Sequence, residues 1–170
     1  GEARDAEFTP RRQFGARPPA DARTVFRAGP QQVRCYEYWR AAGATLDVRD
    51  DGARITTPGQ AWHYGSGIPL DLAGVDFEQD HAWVRLRFAD VGGALLASLY
   101  DGETDTLSEE TPMAPGPGPR DLYLRALSAK GSLLLLRTGD RDEGAAATII
   151  EVEVLAASIL HPQLLAAGES

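Results

Sequence analysis

The stretch HAWVRLRFA, residues 81–89, decides the fold: Ala82, Val84, Leu86 and Phe88 fall on one side of a period-two alternation, and Trp83, Arg85 and Arg87 on the other. Such alternation is the signature of a strand with one face in a core and one face outside. The outward set is unusual, because an ordinary solvated strand carries Thr, Ser and Lys where this one carries an indole and two guanidiniums.

Working outward, the same period recurs between turn residues. Asp90-Val91-Gly92-Gly93 reads as a turn, and Ala94–Tyr100 is expected to return as the hairpin partner of 81–89. Upstream, Leu46 and Val48 alternate with polar residues, Asp50-Asp51-Gly52 marks a hairpin turn, and Arg54–Thr57 is the return strand. Pro58-Gly59 ends it, and Ala61–Gly67 is an aromatic loop carrying Trp62, His63 and Tyr64, after which Ile68, Leu70 and Leu72 form one face of a strand. Downstream, Leu107 belongs to a short strand, and Thr111–Pro119 (TPMAPGPGP) reads as a stiff crossing loop. In Asp121–Ser128, Leu122, Leu124 and Ala126 oppose Tyr123 and Arg125; Ser132–Thr138 reads as a central strand; in Thr148–Leu155, Ile150, Val152 and Val154 oppose Glu151 and Glu153.

About eight strands at short intervals, with no intervening helices of 10–15 residues, predict an all-β, antiparallel β-sandwich of jelly-roll type with an irregular N-terminal extension. The expected organisation is an extension or linker over 1–43, packed on the domain or solvated, a sandwich over 44–160, and a tail over 161–170. Within the extension, Thr24–Arg27 reads as a short strand laid on the domain, and Gln31–Ala42 fits an amphipathic helix or an edge strand equally.

Composition narrows the function classes. The net charge is −8, and it is uneven: residues 1–40 carry eight arginines against five acids, the remainder nine basic residues against twenty acids. An acidic body argues against nucleic acid as partner. No apolar run reaches the length of a membrane span. The single cysteine, Cys35, excludes a disulfide framework and paired-cysteine metal sites. With no charged-then-apolar leader in the amino-terminal stretch, the expected compartment is the cytoplasm.

The chemistry expected is that of a surface. Apolar C–H faces of a sugar ring stack on flat aromatic side chains, and hydroxyls need planar donors and acceptors. Trp83 is the expected platform, Trp62 and Tyr64 would stack or gate, and Arg85, Arg87, Tyr123 and Glu151 would hydrogen-bond hydroxyls. The competing reading is an interface for protein partners or a second copy, because Trp, Tyr and Arg also dominate binding hot spots. Catalysis is not expected: His63, His81 and His161 show no metal-ligand spacing, and no nucleophile elbow or phosphate-cradling loop occurs. No cofactor is expected, except that Asp140 and Asp142, followed by Gly144, form a fragment of a calcium-loop pattern and so keep a structural Ca2+ open.

Taken in order, Thr57-Pro58, the Trp62–Tyr64 loop, Val84–Arg87, Leu99–Gly102, Leu134–Arg137 and Ile149–Val154 resemble a carbohydrate-binding-type β-sandwich domain appended to bacterial glycosyltransferases and methyltransferases of polysaccharide biosynthesis. The resemblance covers about three-fifths of the chain. It implies a module without catalysis, a glycan ligand and a fused or associated transferase, and it assigns no individual binding residue.

Overall fold

The computed structural model describes residues 9–11, 17–57, 64–101, 104, 106–108, 110–126, 128, 133–138 and 144–168. Among these residues, two six-stranded sheets face each other. The first contains β1 (Thr9–Arg11), β8 (Thr106–Ser108), β7 (Leu95–Asp101), β11 (Leu133–Thr138) and β5 (Tyr64–Pro69) in that order, with β9 (Thr111–Met113) also on β7. The second runs β10 (Arg120–Ala126), β6 (Asp80–Gly92), β12 (Ala145–Ser158), β4 (Gly52–Thr57) and β3 (Thr45–Arg49), with β2 (Arg23–Ala28) on the far half of β12. The expected β-sandwich is what forms. The pairings are antiparallel except β1 with β8, which is parallel.

The apolar sides of the alternations meet in the middle. Val84, Leu86 and Phe88 of β6, Leu124 of β10, and Val152 and Val154 of β12 are buried against Leu95 and Ala97 of β7, Leu136 of β11 and Ile68 of β5. Burying side chains of this size stabilises the fold by about 1.5–3 kcal/mol each, before conformational entropy is counted. The Leu46/Arg54 hairpin forms as expected, with β3 and β4 paired around Asp50-Asp51.

Two expectations about strand pairing are corrected. First, Ala94–Tyr100 does not return beside β6. After Gly93 (φ 89°) the chain crosses to the opposite sheet, where β7 pairs with β11, β8 and β9. Period two dictates which side of a strand is apolar but not which strand lies next to it. The edge of β6 is taken instead by β10, arriving after the proline-rich crossing. Second, that crossing is not wholly outside a ladder, since Thr111–Met113 pairs with β7, a short edge position that tolerates Pro112. Of the two arrangements expected for the amino-terminal stretch, the packed one holds from residue 17 onward: Pro19, Ala28, Pro30, Val33 and Cys35 are buried, and β2 pairs with β12. Residues 30–42 are neither one long helix nor a strand. They form a single 3-10 turn (Pro30–Gln32), a backbone bridge from Arg34 to Gly67, and the short helix α1 (Glu37–Ala41).

A double irregularity interrupts β6 and β12. Thr148 pairs with Asp90, Ile149 with Phe88, and Glu151 with Arg87, so Ala89 and Ile150 are each one residue extra. Each extra residue resets the alternation. The expected inward Ile150 is thereby replaced by fully buried Ile149, and β6 continues through Asp90 to Gly92 where a turn is expected.

Candidate functional site

The outer face of the β10–β6–β12 sheet is where the expected site residues gather. Cross-strand register builds it in ranks. Tyr123, Arg85, Glu153 and Arg27 lie side by side across β10, β6, β12 and β2, and Asp121, Arg87 and Glu151 form the next rank. Opposite charges alternate along each rank and meet on the diagonals between them. Arg87 grips Asp121 as a fork, Nε to Oδ1 at 2.8 Å and Nη2 to Oδ2 at 3.1 Å. Arg85 Nη2 lies 2.8 Å from Glu153 Oε1 and 3.4 Å from Glu151 Oε2. Arg27 bridges the same two glutamates at 2.6 Å each, and the Thr24 hydroxyl donates to Glu153 Oε2 at 2.5 Å.

Glu153 is the buried centre of this network, only 5 % exposed. Burial pushes its carboxyl up, but hydrogen bonds from Thr24 and Arg27 and the charges of Arg85 and Arg27 outweigh burial and hold it below its ordinary value. Asp121 is lowered by the hydrogen bond from Arg87, against the opposing pull of desolvation. These carboxylates are therefore ionised acceptors. A glycosidase pair needs one carboxyl raised to act as acid, and these two are held in the opposite direction. Cys35 is buried, and desolvation pushes its thiol up against the opposing charge of Arg40, which leaves it a poor nucleophile.

Arg85, Arg87, Tyr123 and Glu151 are thus brought together. Trp83 is not available with them. Its outward position does not mean exposure: it is 2 % exposed, packed with Ala157 and with Leu164 of α2 (Pro162–Ala166), with Ala22 against the cluster. The Arg125 guanidinium carbon stands 5.2 Å from the ring centre, and Arg125 also contacts His81. The expectation of Trp83 as platform is corrected: Ala22 and the helix carrying Leu164 fold over this end of the sheet and close it. His161 caps α2 and pairs with Asp21 at 2.9 Å, and Arg23 pairs with Asp80 at 2.6 Å.

Trp62, His63, Asp140 and Asp142 lie outside the described residues, and Tyr64 opens β5 with its side chain undescribed. Among the described residues no three His, Cys, Asp or Glu side chains converge as a metal site, and no helix is long and apolar enough to cross a membrane. The sequence reading missed Asp121 and Arg27. Asp121 shares the parity of Tyr123 and was legible from it; Arg27 sits in a segment whose strand pairing only the fold reveals.

The two-sheet fold is that of solved carbohydrate-binding modules. The CBM22-1 xylan-binding domain of Paenibacillus barcinonensis Xyn10C is similar at a TM-score of 0.52 and 14% identity, over 79% of this chain and 95% of that domain. BiXyn10A CBM1 gives 0.51 at 10% identity, over 79% and 99%. The CBM22-1-CBM22-2 tandem domain of Paenibacillus barcinonensis Xyn10C gives 0.52 at 13% identity, over 86% of this chain and 49% of the tandem. No family model matches the chain, and no curated protein matches its sequence.

Proposed function

We propose that this domain is a carbohydrate-binding module without catalytic activity, recognising a glycan or saccharide-bearing substrate as the accessory part of a glycan-modifying enzyme, with a transferase of polysaccharide biosynthesis as its partner. The observation that carries this is the pair of ranks Tyr123–Arg85–Glu153–Arg27 and Asp121–Arg87–Glu151 on one outer sheet face. Planar guanidinium and carboxylate groups, held in place by one another, offer donors and acceptors to vicinal hydroxyls without reorganising, and the Tyr123 ring lies beside them. The shared fold with a xylan-binding domain supports the same reading. Calorimetry against an immobilised-glycan panel tests it. Binding that is lost in both Arg87→Ala and Tyr123→Ala, with the unfolding midpoint kept, upholds the site; unchanged binding in both removes it.

Leu160 and Leu165, 69 % and 50 % exposed, favour a second reading, in which the module orients a neighbouring domain or pairs with a second copy through its C-terminal turn. Sedimentation of Leu160→Ser/Leu165→Ser against the parent separates the two.

A further inference from the structure

The outer face extends beyond the ranks described above. Past the double irregularity, Asp90, Thr148 and Arg54 form a further rank across β6, β12 and β4. The parity of 82–88 would send Asp90 into the core; the extra Ala89 turns it outward instead. There Arg54 Nη1 lies 2.7 Å from Asp90 Oδ1 and 3.1 Å from the Thr148 hydroxyl. Beside this pair is a shallow hollow of about 410 Å3 lined by Arg54, Asp90, Val91, Gly92, Gly116 and Pro117.

The hollow is preformed. Val91 and Gly116 exchange two backbone hydrogen bonds, of 3.1 and 2.8 Å, which pin the proline-rich crossing to the end of β6. Arg120 latches the same loop through the Ala114 carbonyl. A Cβ at Gly116 would come within 2.9 Å of Arg120 Nη1, so glycine there keeps the latch in place. Pro115, Pro117 and Pro119 stiffen the loop, and little conformational entropy is left to lose on binding.

We infer that this hollow is a second binding place on the outer face, taking one neutral pyranose unit at the end of a glycan chain. Carbon from Pro117 and the two glycines suits the C–H face of a ring, and the half-exposed Arg54–Asp90 pair suits its hydroxyls. Because Asp90 cancels the charge of Arg54, the pair itself offers a uronate or sulfated sugar no net attraction. Asp90 stands five residues from Arg85 along β6, roughly 16 Å at ~3.3 Å per residue, so one oligosaccharide can span both places. The inference rests on the glycan reading above but on none of its residues.

The test is a titration of backbone amide NMR signals with xylohexaose, chitohexaose and hexagalacturonate, on the parent chain, Pro117→Ala and Arg87→Ala. Expected are shifts at Gly92 and Gly116 with a neutral hexasaccharide, and binding three- to tenfold weaker in Pro117→Ala at an unchanged unfolding midpoint. If Arg87→Ala weakens binding while Gly92 and Gly116 stay silent and Pro117→Ala is unaffected, the hollow is overturned and the module reading stands. Shifts at Gly92 and Gly116 with no effect of Arg87→Ala uphold the hollow and take Arg87 out of the other site. Preference of the hollow for hexagalacturonate overturns the neutral class. Silence with all three overturns both readings.

Discussion

The guanidinium carbon of Arg17 stands 5.1 Å from the centre of the Tyr123 ring. The amino-terminal strap thus covers the aromatic face that a sugar would use, through a cation–π contact worth about 0.5–1 kcal/mol at an exposed position. A ligand stacking on Tyr123 has to displace it. Arg17→Ala is therefore expected to tighten binding of the best glycan two- to fivefold in calorimetry, without altering the unfolding midpoint. Weaker binding would mean that Arg17 belongs to the site rather than covers it.

Trp83→Ala is expected to act on stability. Removing a buried indole leaves a cavity beneath Leu164 and Ala22, at a cost of about 3–5 kcal/mol. Urea unfolding should show the loss, together with earlier exchange of the amides of α2. Trp83→Phe should retain most of the stability and bind glycan like the parent. Loss of binding by a folded Trp83→Phe chain would return the indole to the site.

Glu153→Ala strands Arg85 on a half-buried sheet face and removes the acceptor shared by Thr24 and Arg27. Breaking a buried pair this way costs about 3–5 kcal/mol, and the remaining Glu151 contact moves the expectation toward the lower end. Denaturant titration measures it. A change below about 0.5 kcal/mol would place the network among surface pairs of little weight.

Acid should weaken the fold. Glu153, Asp121 and Asp80 all sit below their ordinary values of 4.5, 3.8 and 3.8. For Asp80 the largest cause is the hydrogen bond from Arg23. A carboxyl with a depressed folded value contributes stability that is fully present above its unfolded value and is lost as pH falls through the folded one. The unfolding midpoint should thus be flat from about pH 8 to about pH 5.5 and drop below about pH 4. In Asp80→Asn the drop should be shallower. A midpoint rising on acidification would contradict the ion-pair description.

Period two in 81–89 and 121–126 was enough to sort Val84, Leu86, Leu122 and Leu124 inward and Arg85, Arg87 and Tyr123 outward, because side-chain direction along a strand follows from local backbone geometry. The same logic located the Asp50-Asp51 hairpin and the short strand in the amino-terminal stretch. It could not say that β10 rather than β7 lies beside β6, since neighbours are chosen by packing between segments far apart in the chain. Nor could it see the extra residues Ala89 and Ile150, whose effect is to reverse parity beyond them. Trp83 marks the boundary most clearly. Its outward direction was legible in HAWVRLRFA, but its burial depends on Ala22 and Leu164, from opposite ends of the chain, meeting over it. Direction is a property of one strand, whereas accessibility is a property of everything that folds across it.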